Sequence, residues 1–228
     1  MQITLKNGDK LELEAGADAL AAAQKISEGL ARNAVAAKVN GHLCDLSHVL
    51  AEGDTLEIVT LKDKEGLEVY RHTCSHVLAQ ALKTIFPTCK LAIGPVIENG
   101  FYYDVDFKTP ITMEDFSKIE AEMKKIVKSN LPIERFTLPR EEAIALMSKY
   151  HEKYKVELIQ DLPEGEEISF YRQGAFIDLC RGPHLPNTRY IKAFKIERSA
   201  AAYWRGSEAN PMLQRIYGAA FATKEDLK

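Results

Sequence analysis

The chain has 228 residues and a mass of 25.6 kDa, a length that suits two domains of ~100–200 residues each. Hydrophobic residues make up 46% and charged residues 28%, which is ordinary for a folded protein, and the net charge of −3 argues against a generally basic nucleic-acid coat. No apolar run approaches the ~20 residues that span a bilayer, no secretory signal pattern opens the chain, and we expect the four scattered cysteines to be reduced thiols.

The first ~60 residues have the pattern of a small β-grasp unit, in which one helix crosses a sheet. Asn7-Gly8 is a typical hairpin turn between two short alternating strands. Asp18 can cap a single helix, and Gly29 lies near the predicted end of that helix. The predicted strands are Ile3–Leu5, Leu11–Leu13, Ala34–Val39 and Thr55–Val59, and the apolar positions of the helix are Leu20, Ala23, Ile26 and Leu30.

A charged segment, Leu61–Gly66, predicts a linker, so we expect one domain at 1–62 and a larger α+β domain at 63–228. We expect the larger domain to be an antiparallel sheet with flanking helices. Helices are predicted from Glu68 to Phe86, from Thr112 with an apolar stripe through Met123, and from Pro139 with a stripe ending at Tyr150; strands are predicted at Ala92–Val96, Phe101–Phe107, Val156–Ile159, Ile168–Tyr171 and Phe176–Leu179.

Two histidines on the first of these helices are candidates for a shared catalytic or metal site. His72 and His76 are four residues apart, so both side chains lie on one face, opposite the apolar stripe and toward solvent or a cleft. Far downstream, Cys180 and His184 offer a thiol and an imidazole, and the four together make a suitable zinc set. A helical histidine is more often a surface or satisfied core residue, so spacing alone leaves both readings open.

Two further residues gain interest from their neighbours. Asp178 lies two residues before Cys180 on a predicted strand, so both can enter one pocket, although an exposed strand carboxylate is an equal alternative. Lys155 taken by itself predicts a surface lysine.

The stretch 181–205 is locally basic, with six lysines and arginines against one glutamate. Aromatic residues interleave with these charges, a composition that suits phosphate contacts and base stacking. The alternative is a solvated basic edge with core aromatics. The aromatic residues are Tyr190, Phe194, Tyr203 and Trp204.

Five blocks together resemble the N-terminal half of a bacterial-type threonyl-tRNA synthetase, in the order of that family and over residues 1–218. The blocks are His72-Thr-Cys-Ser-His76, Ala92-Ile-Gly-Pro-Val-Ile-Glu-Asn-Gly-Phe-Tyr-Tyr-Asp-Val-Asp106, Asp178-Leu-Cys-Arg-Gly-Pro-His184, Ala202-Tyr-Trp-Arg-Gly206 and Leu213-Gln-Arg-Ile-Tyr-Gly218.

The resemblance implies a TGS domain of β-grasp fold followed by an editing domain that hydrolyses serine mischarged onto threonine tRNA. It implies catalytic-site residues and a second set that binds the substrate. The first set is His72, Lys155, His76, Asp178, Cys180 and His184; the second is Tyr102, Arg181, Tyr203 and Trp204.

The resemblance also implies roles within the site: His72 near the ribose and the reacting ester, Lys155 near the water, and Asp178 accepting from the serine. The threonyl editing domains are understood to work without metal, so we expect no cofactor. Zinc on His72, His76, Cys180 and His184 is the alternative, because the alanyl relatives carry zinc at comparable positions.

The implied partner is the serine-charged acceptor end of tRNA(Thr), in the cytoplasm and without a membrane. The aminoacylation and anticodon-binding domains of the family, with their ATP and Mg²⁺, have no counterpart in these residues, so we expect no ligase activity, and a homodimer only in the full-length synthetase. The rival functions are a zinc-dependent hydrolase of alanyl-tRNA type and a non-catalytic module that binds the tRNA acceptor end.

Overall fold

The computed structural model describes residues 1–228, which form two compact units. The first unit is Met1–Tyr70 together with Gly182–Pro186, and the second is Arg71–Arg181 together with Asn187–Lys228. Helices and largely antiparallel sheets are mixed throughout, which confirms the predicted α+β class. None of the helices combines the length and the apolar character needed to cross a bilayer.

The first unit is a five-stranded sheet crossed by two short helices. Its elements are β1 Gln2–Leu5, β2 Lys10–Glu12, α1 Ala19–Ile26, α2 Glu28–Asn33, β3 Ala34–Val39, β4 His42–Cys44 and β5 Thr55–Thr60. The strand order is β2-β1-β5-β3-β4; β1 and β5 run parallel and the other pairs antiparallel. This topology confirms the β-grasp prediction. Its core includes Ile3, Ala22 and Leu56, all buried.

The predicted single helix of this unit is instead two helices. Asp18 caps α1 as predicted, because its carboxylate accepts from the Ala21 amide at 2.8 Å. Ser27 then adopts an extended backbone, and its hydroxyl accepts from the Leu30 amide at 3.0 Å to begin α2. Serine at this position competes with the helix backbone for hydrogen bonds, which ends α1. Gly29 therefore lies inside α2 rather than at the end of one long helix.

The second unit contains two antiparallel sheets and most of the long helices. Its elements are α3 Lys64–Ile85, which begins in the first unit, then β6 Lys90–Leu91, β7 Val96–Ile97, β8 Gly100–Asp106, α4 Phe116–Lys128, β9 Ile133–Thr137, α5 Arg140–Lys149, α6 Lys153–Gln160, β10 Ser169–Gln173, β11 Phe176–Leu179, β12 Ala193–Tyr203, β13 Met212–Phe221 and α7 Lys224–Leu227. One sheet has the order β11-β10-β9; the other has the order β12-β13-β8-β6, with β7 also pairing β8.

Several predicted boundaries in this unit are wrong. The predicted strand Val156–Ile159 lies within α6, where Tyr154 and Leu158, one turn apart, pack in one cluster with Trp204. This segment has residues typical of a strand, but it is helical because side chains at i and i+4 pack together in the core. The predicted strand Ala92–Val96 is strand only at Val96, and Tyr150 is exposed. The strands β9, β12 and β13 were not predicted.

α3 begins four residues before the predicted Glu68 and is buried on nearly every side. From Val69 to Ala79 each residue is buried except His72, which is half-buried. The predicted amphipathic stripe therefore understates the burial of this helix. A histidine pair in its middle faces the interior of the protein rather than solvent.

We predict that a shortened chain beginning at Asp63 keeps the fold of the second unit, because that cut falls in the turn before α3 and leaves the whole helix in place. The single tryptophan of the chain, Trp204, belongs to this unit and reports its unfolding by fluorescence. A shortened chain without a cooperative urea transition would disprove the prediction.

Candidate functional site

The middle of α3 positions two imidazoles one helical turn apart. The ring centroids of His72 and His76 are separated by 5.2 Å, with the rings nearly perpendicular. His76 is only 4% exposed. The adjacent polar residues of the helix, Thr73 and Ser75, are fully buried as well, so this segment of α3 lies in a polar interior.

The end of β11 brings a carboxylate and a thiol to this histidine pair. Asp178 lies in β11 with an oxygen, Oδ2, 3.7 Å from Nε2 of His76. Cys180 follows the strand, and its Sγ is 3.4 Å from Nε2 of His72. The two-residue spacing of a strand predicts that both side chains point the same way, and both do reach α3.

Lys155 reaches the same carboxylate from α6. Its Nζ lies 3.0 Å from Oδ1 of Asp178, and the side chains are 4% and 2% exposed respectively. Lys155 is therefore not the surface lysine that its local sequence suggests. A buried ion pair is retained only when further hydrogen bonds compensate for the lost hydration, so the remaining partners of the pair matter.

The compensating group is Tyr103, a residue that sequence reasoning did not select. Its hydroxyl donates to Oδ2 of Asp178 at 2.6 Å and accepts from Nζ of Lys155 at 2.8 Å. The alternation of β8 places Tyr103 between Phe101 and Val105 on a fully buried face. A tyrosine on the buried face of a strand requires a polar partner, and this was the available signal.

Burial sets the protonation states of this cluster. It lowers the pKa of His72 to about 4; the Asp178 carboxylate opposes this shift and the Lys155 ammonium adds to it. Burial, followed by the charges of His72 and Lys155, also holds the pKa of His76 well below its usual value. Burial and then Asp178 raise the pKa of Tyr103 well above 10. At neutral pH the site therefore holds two neutral imidazoles and a protonated phenol.

Three of the four predicted metal-ligating residues belong to the second unit, and His184 belongs to the first. Within the second unit, the donor atoms of His72, His76 and Cys180 all lie within 4.8 Å of one another. Tetrahedral zinc, with Zn–N of ~2.0–2.1 Å and Zn–S of ~2.3 Å, requires donors ~3.3–3.8 Å apart. The distance of 3.4 Å between Sγ of Cys180 and Nε2 of His72 meets that requirement. The donor set is compatible with zinc.

The residues predicted to bind the substrate make contacts of their own. Tyr102 projects from β8 on the face opposite to Tyr103. Its ring packs against the ring of Tyr217, and the guanidinium of Arg215 lies 4.0 Å from its centroid. Tyr203 is 37% exposed at the end of β12, and exposed Arg181 forms an ion pair with Glu166.

Trp204, also predicted to bind the substrate, is packed into the interior. It is 4% exposed, packs on Tyr154 with ring centroids 5.0 Å apart, and donates its indole N–H to Glu157 at 3.1 Å. Its ring belongs to the core cluster that includes Ala92 and Leu213. Sequence alone could not distinguish these roles, because a tryptophan beside arginines suits either one.

The basic stretch 181–205 is partly neutralised. Arg205 pairs with Glu157 and Asp161, and Lys195 lies 4.0 Å from Glu197. Arg198 stacks on the ring of Tyr217 at 3.6 Å instead of pairing with a carboxylate. The stretch is therefore less positive than its composition indicates, and Arg189 and Arg198 lie outside its ion pairs.

Comparisons with known proteins agree with this architecture. A family described as "Threonyl and Alanyl tRNA synthetase second additional domain" matches residues 168–217, and the TGS domain family matches residues 1–60. The chain carries both of these domains. The first match includes Asp178 and Cys180 of the cluster described above, and also His184.

The chain is also similar over its full length to bacterial threonine–tRNA ligases. It is 57% identical over 227 residues to the enzyme of Acetivibrio thermocellus and 56% identical over 228 residues to that of Clostridioides difficile. These alignments cover 100% of this chain and 36% of each relative, so the chain spans about a third of the length of these relatives. It corresponds to their N-terminal region, which confirms the resemblance.

The buried imidazoles predict a pH-dependent stability. The folded state keeps His76 neutral, whereas the unfolded chain takes up its proton below ~6.5. Stability is then fully present above that pH and falls as the pH is lowered toward 5, by about 1–2 kcal/mol for one such histidine. Urea unfolding of the second unit, followed by Trp204 fluorescence at pH 7 and pH 5, measures this loss.

His76→Gln should reduce that loss, because glutamine does not titrate. His151→Asn is the matched control: His151 is exposed and has a φ of 57°, a conformation that asparagine accepts. An equal loss of stability in the parent and in His76→Gln would contradict the assignment of the proton uptake to His76.

Metal content provides a separate prediction. We expect the purified chain to contain less than one tenth of an equivalent of zinc. We also expect Cys180→Ser to keep its fold and the charge balance of the site, because the Lys155 ammonium already balances Asp178 there. Elemental analysis of protein prepared without chelator makes the measurement. Stoichiometric zinc that is lost in Cys180→Ser would overturn the metal-free assignment and establish the zinc alternative.

Proposed function

We propose that this chain is a proofreading module that hydrolyses the ester of serine mischarged onto tRNA(Thr) and spares threonyl-tRNA. The observation that carries the proposal is the buried ion pair of Lys155 and Asp178, bridged by Tyr103 and adjacent to two neutral imidazoles. The match to a domain shared by threonyl and alanyl tRNA synthetases supports it, as does the similarity to threonine–tRNA ligases. The proposed cytoplasmic location rests on the same similarity.

The reaction is the attack of water on the ester carbonyl. A bond forms between the water oxygen and the carbonyl carbon, the bond from that carbon to the ribose oxygen breaks, and serine and a free tRNA end are released. The neutral imidazole of His72 is suited to accept the proton of the attacking water, directly or through the neighbouring ribose hydroxyl, and to return a proton to the leaving oxygen. His72 is the more accessible of the two histidines.

The ammonium of Lys155 supplies the positive charge that the reaction needs. Negative charge develops on the carbonyl oxygen during the attack, and a preorganised cation stabilises it most in a water-poor site. Two of the three N–H groups of Lys155 are used by Asp178 and Tyr103, which leaves one donor for a substrate oxygen or for water. The Asp178 carboxylate keeps spare lone pairs that can accept from the amino group of serine.

A zinc ion, if held by His72, His76, Cys180 and His184, would polarise the carbonyl or lower the pKa of a bound water. This second candidate, a zinc-dependent hydrolase of alanyl-tRNA type, is favoured by the close approach of the donor atoms of His72, His76 and Cys180. The functions of Lys155, Asp178 and Tyr103 would be the same in either case.

A hydrolytic site separate from the site that selects the amino acid is useful because serine is smaller than threonine by one methyl group. A difference of that size provides only ~1–3 kcal/mol of discrimination in a single binding pocket. In this proposal His76, Cys180 and His184 shape the amino-acid pocket and exclude the extra methyl of threonine, so the correct product is protected by steric exclusion. The burial of His76 within its own unit supports a tightly packed pocket there.

The test is to incubate the purified chain with seryl- and threonyl-tRNA(Thr) and to follow the release of each amino acid. We expect seryl-tRNA to be hydrolysed well above the rate without protein and threonyl-tRNA to remain intact. Tight tRNA binding without release of serine would instead support the non-catalytic binding module. Hydrolysis that stops with chelator and returns with added zinc would support the zinc-dependent candidate.

We predict that replacing Lys155 and Asp178 with uncharged residues affects the rate of hydrolysis and the stability of the fold differently. Lys155→Met and Asp178→Asn should each cost ~3–5 kcal/mol of stability, because each leaves a buried charge without its partner. The double variant should recover much of that stability while its hydrolysis stays ~10²–10⁴-fold below the parent rate. Urea unfolding and seryl-tRNA hydrolysis, measured on the same preparations, decide the matter. A double variant that regains activity together with stability would assign the pair a purely structural role.

A further inference from the structure

We infer that Ser75 and Gly94 are positioning residues that hold the Tyr103 hydroxyl between Lys155 and Asp178. The inference rests on the proposed function, because it assigns residues to the geometry of that site. Neither residue bears a group that acts on the ester.

Gly94 forms a surface against the ring of Tyr103. A Cβ atom built on Gly94 would lie 2.3 Å from Cδ2 and 2.6 Å from Cε2 of that ring, far inside van der Waals contact. Gly94 does not have a positive φ, so its backbone conformation is open to any residue. The need for glycine here is therefore steric: the backbone must approach the aromatic ring closely.

The Tyr103 ring cannot move away to make room. It is 1% exposed, and both hydrogen bonds of its hydroxyl are with buried charged groups. A shift of the ring that relieved the contact with Gly94 would lengthen the bond of 2.6 Å to Asp178 or that of 2.8 Å to Lys155.

Ser75 attaches the Gly94 backbone to the histidine helix. Its hydroxyl lies 2.7 Å from the carbonyl oxygen of His72 and 3.0 Å from that of Gly94, so one O–H is shared between α3 and the segment before β7. Ser75 is fully buried and stands directly before His76 on the helix.

These contacts link two sequence blocks that are separated along the chain. The helix that carries His72 and His76 holds Gly94 through Ser75, and Gly94 fixes the ring whose hydroxyl orients the ammonium of Lys155. The proton acceptor and the stabilising cation are thereby set at a defined separation. Catalysis depends on such distances, because a displacement of ~1 Å can reduce the rate by ~10²-fold.

The main test compares two glycine substitutions. Gly94→Ala should lower kcat for seryl-tRNA hydrolysis about 10–100-fold with little change in KM, since the Tyr103 hydroxyl moves while the outer contacts of the substrate remain. Gly218→Ala is the matched control, because its added Cβ would meet the buried Phe101 ring at 2.4 Å on the same strand, β8, without touching the polar cluster. We expect Gly218→Ala to be destabilised to a similar degree and to keep kcat within about threefold of the parent. Equal losses of kcat in the two variants would overturn the inference.

The second test is a double-mutant cycle with a milder change, which decides the question even if Gly94→Ala does not fold. Ser75→Ala removes the hydrogen bond and creates no clash, and it should lower kcat about 3–10-fold. If Ser75 acts through the Tyr103 hydroxyl, the same substitution should cost less than about twofold in a Tyr103→Phe background. Full additivity of the two losses would show that Ser75 acts by another route and would reject the inference.

A spectroscopic measurement separates this inference from the proposed function. In protein labelled with 3-fluorotyrosine, the fluorine signal that is absent in Tyr103→Phe reports on this ring. We expect Ser75→Ala to shift or broaden that signal and to leave the signals of the other tyrosines in place. An unchanged Tyr103 signal would overturn the inference, whereas a parent chain that does not hydrolyse seryl-tRNA would refute the proposed function alone.

Discussion

The buried ion pair between Lys155 and Asp178 is the constraint on which the rest of the site depends. Two opposite charges with side chains only 4% and 2% exposed lose most of their hydration, and their attraction compensates only with close geometry and satisfied hydrogen bonds. Tyr103 meets this requirement by accepting from one partner and donating to the other. The pair thus joins a helix, a strand end and a neighbouring sheet, which come from distant parts of the chain.

The protonation of the histidines follows from the same burial. Charging either imidazole would place another cation in a poorly hydrated interior beside the Lys155 ammonium, so both remain neutral at physiological pH. The site therefore presents one fixed cation and two uncharged proton acceptors. Ester hydrolysis needs both kinds of group at the same time, a base for water and a positive charge for the developing oxyanion.

The parts of the site that follow from local spacing were predictable from sequence. His72 with His76 depends on the helical period, and Asp178 with Cys180 depends on the strand period, so neither requires knowledge of the tertiary fold. Lys155 was identified only through the family resemblance, since its local sequence predicts a surface lysine and the strand predicted directly after it, Val156–Ile159, is part of a helix. Alternation along β8 shows that Tyr102 and Tyr103 face opposite ways but not which of them faces inward. The inward face is decided by the pairing of β8 with β13, a contact between distant segments.

Whether the site binds zinc depends on the charge balance around the same ion pair. With Lys155 in place, Asp178 is already neutralised, and the neutral histidines add no charge. A dication would then enter a cluster whose carboxylate is already paired, and zinc would require Cys180 to bind as a thiolate. The ammonium can stabilise a developing oxyanion without that step. Because the Asp178 carboxylate fixes Lys155, the site can supply positive charge without a metal. The metal-free and zinc alternatives therefore differ in whether the ammonium alone stabilises the oxyanion or a zinc ion on the Cys180 thiolate does so as well.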